Sequence, residues 1–343
     1  MKKYTPNFND PRIVKRINRS LDYSLACLST TKPKQWGTRH LDTWFGSQHN
    51  PLSKMIRQHL LIVTDPYYNP ERGIAKKYLL NMEGAQRLGN LIGREIFPCA
   101  LHIQQTKIEC ADRIYGEQIA QGAFEYKTRS NRMWNDIQNL SNLTRKPLFA
   151  NYGYIYEYDI KSAAPNILTQ YARHNGLTRN TPTIDEYLSD PTQGRNYLKE
   201  QLHTDTKTAK QLITSRFAGA RFGPTNSIIE TLDRNWHQYN TLKADLWFKQ
   251  LTQEIKFVWD SIRDHQGVTR LNSSAKWNIY FSEELRVMKS VHRYLDKTSV
   301  RYFHEHDGWR STGSCDIHQL KLHIQKQTGY WLDFDEEVFE IDR

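Results

Sequence analysis

Tyrosines stand at positions 152, 154, 156 and 158, and the alternation runs straight into Asp159. A period of two belongs to a β-strand, so residues 152–159 are expected to form one. The strand stops at a carboxylate. After it come Lys161, Ser162, Ala163 and Ala164, then Pro165 at the first turn of a helix. That helix, "NILTQYARHNGL", is expected to stop at Gly176. A carboxylate at a strand end, followed by small side chains, leaves room for something to approach it.

A second aspartate has a similar setting. "SVRYFHEHDGWRSTGS" is rich in aromatic and β-branched residues and runs through Asp307-Gly308, a tight-turn signal between two strands. Before it, residues 281–296 place Phe281, Leu285, Met288, Val291 and Leu295 on one helix face. Residues 204–220 read as another helix, ending near Gly219–Gly223. Residues 126–146 read as a long polar helix or helix pair, either a solvated face or a surface that tracks a nucleic-acid backbone. The region 1–150 reads as mostly helical. The tail, 316–343, reads as a helix followed by an acidic, aromatic stretch.

Charge narrows the partners. The 343 residues carry 48 Lys and Arg against 37 Asp and Glu, a net charge of +11. That balance favours a polyanion, nucleic acid above all. The 19 tyrosines and 9 tryptophans suit base stacking where they meet basic residues, though most belong in a core. Cys27, Cys99, Cys110 and Cys315 lie far apart with no C-x-x-C pair, so neither a zinc knuckle nor a disulfide framework is indicated. With no signal peptide and no apolar run long enough for a bilayer, the expectation is a soluble, cytoplasmic protein without a membrane partner.

Strands separated by a large helical insertion can be neighbours in one sheet. If so, Asp159 and Asp307 would hold two Mg²⁺ ions about 3.5–4 Å apart, with Mn²⁺ as a substitute. Between them lies "TDTKTAKQLITSRFAGARFG" (204–223). On a helix Lys210, Thr214, Phe217 and Arg221 share a face, joined by Lys207. Cations there would grip a triphosphate, Phe217 would stack on a base, and the small "AGA" would admit a templating strand.

A strand aspartate, a Lys-rich helix and a hairpin "HDG", in that order, resemble motifs A, B and C of the palm-and-fingers polymerases. "DIKSAAPNIL" is similar to motif A of the family B DNA polymerases. "KQLITSRFAGARFG" resembles motif B of that family and of the phage-type RNA polymerases. "HDG" resembles motif C of the DNA polymerase I family and the single-subunit RNA polymerases, and the Glu-bearing helix before it fits that group. The likeness covers about residues 150–312. It departs at motif B, where Phe-Ala-Gly stands in place of Tyr-Gly.

The resemblance implies an α+β fold, right-hand polymerase-like, with a small antiparallel palm sheet surrounded by helices. Residues 1–150 would be a helical thumb or template-holding region, 151–174 and 281–343 the palm, and 175–280 reduced fingers. Asp159 and Asp307 would be the catalytic, metal-binding carboxylates, with the Ile160 carbonyl as a further ligand. Lys207, Lys210, Arg216, Phe217, Ser162 and Ala164 would line the nucleotide site. His306 would approach the primer or product terminus and Arg221 the template. Ala164 occupies the place where DNA polymerases keep a bulky side chain that excludes a ribose 2′-hydroxyl, so ribonucleotides are expected to enter. The implied activity is templated addition of nucleoside triphosphates to a 3′-hydroxyl by a compact RNA polymerase or primase-like enzyme. DNA is favoured over RNA as template, and an accessory subunit is a further expected partner.

Each local string also has a plainer origin. An aspartate closing a strand is often a turn or cap residue, and Asp-Gly is most often only a turn. A small viral-type DNA polymerase is one rival. A two-metal nuclease built on Glu157, Asp159, Glu305 and Asp307 is another, and a non-catalytic basic nucleic-acid-binding protein a third. A zinc site on His304 and His306 would need further ligands that the sequence does not offer.

Overall fold

The computed structural model describes residues 6–28, 34–35, 38–65, 76–96, 100–129, 131–223 and 226–339. The chain divides into two compact units. One runs to Glu125 and includes Asn135–Tyr154; the other comprises Tyr126–Trp134 and Ile155 onward.

The first unit holds helices α1 (Pro11–Cys27), α2 (Thr38–Phe45), α3 (Pro51–Leu60), α4 (Met82–Asn90), α5 (Ala100–Gln121) and α6 (Asn142–Ala150). Strands β1 (Lys34–Gln35), β2 (Leu61–Asp65) and β3 (Lys77–Leu80) form an antiparallel sheet in the order β1-β3-β2. Asp10-Pro11 and Asn50-Pro51 start α1 and α3: each polar side chain accepts a first-turn amide, and each proline stands where no donor is needed. Ile17, Leu21 and Leu25 of α1 and Cys110, Ala111 and Ile119 of α5 are buried. Asp22 sits among them. Burial opposes its charge, but Arg113 at 2.7 Å and Arg94 at 2.8 Å outweigh burial and hold its carboxyl below the usual range.

The second unit begins with a hairpin, β4 (Lys127–Arg129) and β5 (Arg132–Trp134). It continues through β6 (Tyr156–Ile160) and α7 (Ala163–His174). Six helices follow: α8 (Pro182–Ser189), α9 (Pro191–Leu202), α10 (Thr206–Phe217), α11 (Ser227–Thr231), α12 (Trp236–Ala244) and α13 (Leu246–His265). The long helix α14 (Ser273–Leu295), the hairpin β7 (Tyr302–Glu305) and β8 (Gly308–Ser311), α15 (Ile317–Thr328) and β9 (Phe334–Val338) complete it. The fold is mixed α+β, mostly helical with small antiparallel sheets.

The sheet of this unit has the order β7-β8-β6-β9, antiparallel throughout. One face is apolar: Tyr158, Ile160, Trp309 and Phe334 share a core with Ile167 and Leu168 of α7, Val287, Met288 and Val291 of α14, and Leu320 and Ile324 of α15. Tyr158 and Trp309, paired across the strands, stack at 4.7 Å. Alternation then sends Glu157, Asp159, Glu305 and Arg310 to the other face.

Several expectations change. Only Tyr156 and Tyr158 lie in β6; Gly153 takes a positive φ of 83°, and Tyr152 and Tyr154 stay with the first unit. There the Tyr152 hydroxyl donates to Asp112 at 2.6 Å and that of Tyr154 to the Ile119 carbonyl at 3.2 Å. Residues 126–146 are not a long helix but a hairpin, a 3₁₀ turn over Asp136–Asn139 and the start of α6. Asn131 reverses the chain at φ 60°, and Asn135 with Gln138 forms a capping box. Helix α10 stops at Phe217, so Arg221 lies beyond it. The tail supplies β9, a strand the sequence reading did not expect. Among the described residues no helix is long and apolar enough to cross a membrane.

Candidate active site

Two distant segments meet at the end of the four-stranded sheet. Asp159, the penultimate residue of β6, stands opposite Gly308, the first residue of β8. The next amide, Ile160 N–H, donates to the Asp307 carbonyl at 3.0 Å. Asp159 and the turn carrying Asp307 are therefore side by side, as the sequence reading expects.

Gly308 has a role beyond the turn. A Cβ added there would lie 2.2 Å from both Asp159 Oδ1 and the Tyr158 carbonyl oxygen, so the Asp159 carboxylate occupies the space a side chain would fill. The turn residue with unusual backbone is His306, at φ 32°. Ser162, three residues after Asp159, is also left-handed at φ 49°. Both are non-glycine residues in a costly conformation, one just after Asp159 and the other just before Asp307.

The electrostatics are uneven. Arg310 is fully buried and ion-paired to Glu157 at 3.0 Å and to Glu305 on the neighbouring strand. Asp159 keeps access to solvent, yet the surrounding protein limits its hydration. That desolvation, with repulsion from Asp307, Glu157 and Glu305, raises its pKa to about 7, and Lys210 acts against the rise. Lys210 is thus within electrostatic reach of Asp159 from the exposed side of α10. Lys207 is exposed one turn earlier. Across the sheet Asp335 of β9 faces Asp159, and Lys161 reaches it at 3.5 Å. Ser162 is held by Arg195, whose Nη2 donates to Ser162 Oγ at 3.0 Å.

Phe217 corrects the sequence reading. It is fully buried, and its carbonyl accepts the Trp259 Nε1–H at 2.8 Å, so no ring face is open to a base. Arg216 is also turned inward: its Nε donates to Thr252 at 3.2 Å, and it bonds the Ala220 carbonyl. Ala164 is almost fully buried, beside a small cavity it shares with Trp277 and Tyr280. "HEH" divides as well. His304 is buried with its Nδ1 3.1 Å from His292 Nε2, while His306 meets the Trp134 edge at 4.6 Å.

The sequence reading missed a group on the β4–β5 hairpin and α14. Arg132 Nε and Nη2 grip the Glu284 carboxylate at 2.7 and 2.6 Å, and the guanidinium lies 4.0 Å from the Phe281 ring centroid. Burial raises the Glu284 carboxyl, and Arg132 opposes the rise. Tyr280 is buried beside them. Burial, Glu284 and Asp307 push its hydroxyl well above the tyrosine range. The available signal was the cluster "NRMW", whose Arg and Trp need partners that only the folded chain supplies.

No protein family, curated protein or solved structure matches this chain.

Proposed function

We propose that the chain is a nucleic-acid-templated nucleotidyltransferase that adds nucleoside triphosphates to a 3′-hydroxyl. The reading is carried by one observation: the register that sets Asp159 against Gly308 and the Asp307 turn. The donor set fits hard divalent cations. It is all oxygen, it is crowded enough to raise Asp159, and a missing Cβ at Gly308 makes room for the carboxylate. Asp159 and Asp307 would hold Mg²⁺, which when bound lowers the barrier to attack by the 3′-hydroxyl and stabilises the departing pyrophosphate.

The chain's own groups then have distinct tasks. Lys210, within electrostatic reach of Asp159, and the exposed Lys207 at the helix start offer positive charge suited to a triphosphate. Arg310 neutralises Glu157 and Glu305 and holds the strands in register. Ser162, fixed by Arg195, positions the turn between Asp159 and α7. The preference for ribonucleotides rests on the resemblance at Ala164 alone, whose methyl group is packed in the core. The nuclease reading loses ground because two of its four carboxylates are committed to Arg310.

The test is incorporation of labelled rNTPs or dNTPs on a primed template with Mg²⁺. Wild-type protein extends the primer and prefers rNTPs, while Asp159→Asn and Asp307→Asn lose at least about 100-fold in rate with unchanged circular dichroism. Full activity in Asp159→Asn would end this reading.

A further inference from the structure

A second basic feature lies on the helical part of the same unit. The end of α10, one side of α13 and the start of α14 enclose an open cavity of about 530 Å³. Seven cations line it: Arg216, Arg221, Lys249, Lys256, Arg263, Arg270 and Lys276. Asp260 is the single carboxylate of the lining. Arg263 is occupied by Asp260 and Asp264, both at 2.8 Å. Lys249, Lys256, Arg270, Arg221 and Lys276 form no ion pair with any described residue. Positive charge is therefore concentrated well beyond what the local carboxylates balance.

The spacing is ordered. Lys249, Lys256 and Arg263 recur every seventh residue on α13, which keeps them on one face. At 1.5 Å per residue Lys249 and Lys256, the two without a carboxylate partner, stand about 10 Å apart, and the full row to Arg263, whose charge Asp260 and Asp264 share, runs about 21 Å. The full row exceeds the polyphosphate of one nucleotide and matches several consecutive phosphodiesters, with Lys249 and Lys256 as its open contacts. The far wall is drawn close. Lys276 lies 4.7 Å from the Trp259 ring centroid, and Gly219 at φ 89° has no side chain to obstruct it. Burial, then Arg221 and Arg216, lowers the Lys276 pKa to about 8. The Trp259 face is thus covered by an ammonium and its N–H is spent on Phe217. The cavity offers charge and no open stacking face, which suits a backbone rather than a base.

We infer that this cavity is a track for the sugar–phosphate backbone of single-stranded nucleic acid, bound without regard to sequence. The inference rests on the reading of the chain as a nucleic-acid enzyme; it leaves Arg221 with a nucleic-acid strand and moves Arg216 from the triphosphate to the cavity wall.

Fluorescence anisotropy of a labelled single-stranded 12-mer, in EDTA and without nucleotides, tests it independently of catalysis. The double variant Lys249→Gln/Lys256→Gln removes two exposed charges without touching the core. Each phosphate contact contributes about 0.7 to the log–log salt slope for a single strand, so the slope should fall by about 1.4, and affinity by about 25-fold near 100 mM salt. Lys289→Gln/Lys326→Gln, exposed elsewhere on the unit, should bind as wild type. GTP at equal phosphate concentration should displace the strand poorly. Wild-type binding by Lys249→Gln/Lys256→Gln overturns the inference. So does equal weakening in the control pair, which would mean net charge alone, or equal displacement by GTP, which would mean a mononucleotide site. If primer extension fails while these results hold, the strand track stands and only the catalytic reading falls.

Discussion

At the scale of single residues, the acidic end of the sheet depends on what is absent at Gly308. The sequence marked this glycine as a turn former, whereas its backbone is ordinary and its importance is the space given to Asp159. Gly308→Ala should displace either the carboxylate or β8, because the obstruction includes the fixed Tyr158 carbonyl. For the proposed nucleotidyl transfer the expected result is a loss of at least about tenfold in kcat, following from a misplaced carboxylate, together with a lower Tm. A variant with wild-type kcat would show that the close approach is dispensable. Phe217 teaches the opposite lesson. A helical wheel groups it with Lys210, but the buried positions of α10 are Ala209, Leu212, Ile213 and Phe217, an i, i+3, i+4, i+8 stripe. The apolar spacing was legible; weighting the cations over it turned a core residue into a supposed stacking platform.

At the scale of elements, β6 and the "HDG" hairpin were legible because their signals are local: alternation in one, turn chemistry in the other. The hairpin of β4 and β5 was not. Its strands read Lys-Thr-Arg and Arg-Met-Trp, with no apolar face, and it is anchored by α14, where Asn131 donates to Ser282 at 2.8 Å and Arg132 grips Glu284. Strand β9 was missed because its pairing with β6 is set by long-range register, which no single stretch encodes. The Arg132–Glu284 pair gives a direct test of the anchor. Glu284 is 1% exposed, so Arg132→Ala strands a buried carboxylate and should cost about 3–5 kcal/mol in urea unfolding. Arg132→Met/Glu284→Leu should recover most of that loss, since it removes both charges. A double variant as unstable as the single one would mean that packing, not charge, holds the hairpin.

At the scale of the molecule, stability should follow pH through a pair of histidines. Burial lowers His292 to about 4, opposed by Asp296. Burial, then His292, His306 and Arg132, lowers His304 to about 2. Rings kept neutral when folded but free to protonate when unfolded bind fewer protons in the folded state. Their contribution is intact above about pH 6.5 and is lost as pH falls below it, by about 1.4 kcal/mol per pH unit for each ring. Asp159, raised when folded, acts in the opposite sense without metal, so the experiment belongs in Asp159→Asn. Its Tm should fall steadily from pH 7 to pH 5; a flat profile would refute the neutral pair.

The strand order of the sheet has one more consequence. β6 carries Asp159 yet lies between β8 and β9, both of which leave the ribosome long after it. Until residues 308–311 and 334–338 emerge, the nascent chain has a tyrosine-rich segment with both edges open and nothing to pair with. The aspartates are brought together only late in translation, so a transcript cut short before β8 yields a product that has α1 to α14 but no assembled acidic pair.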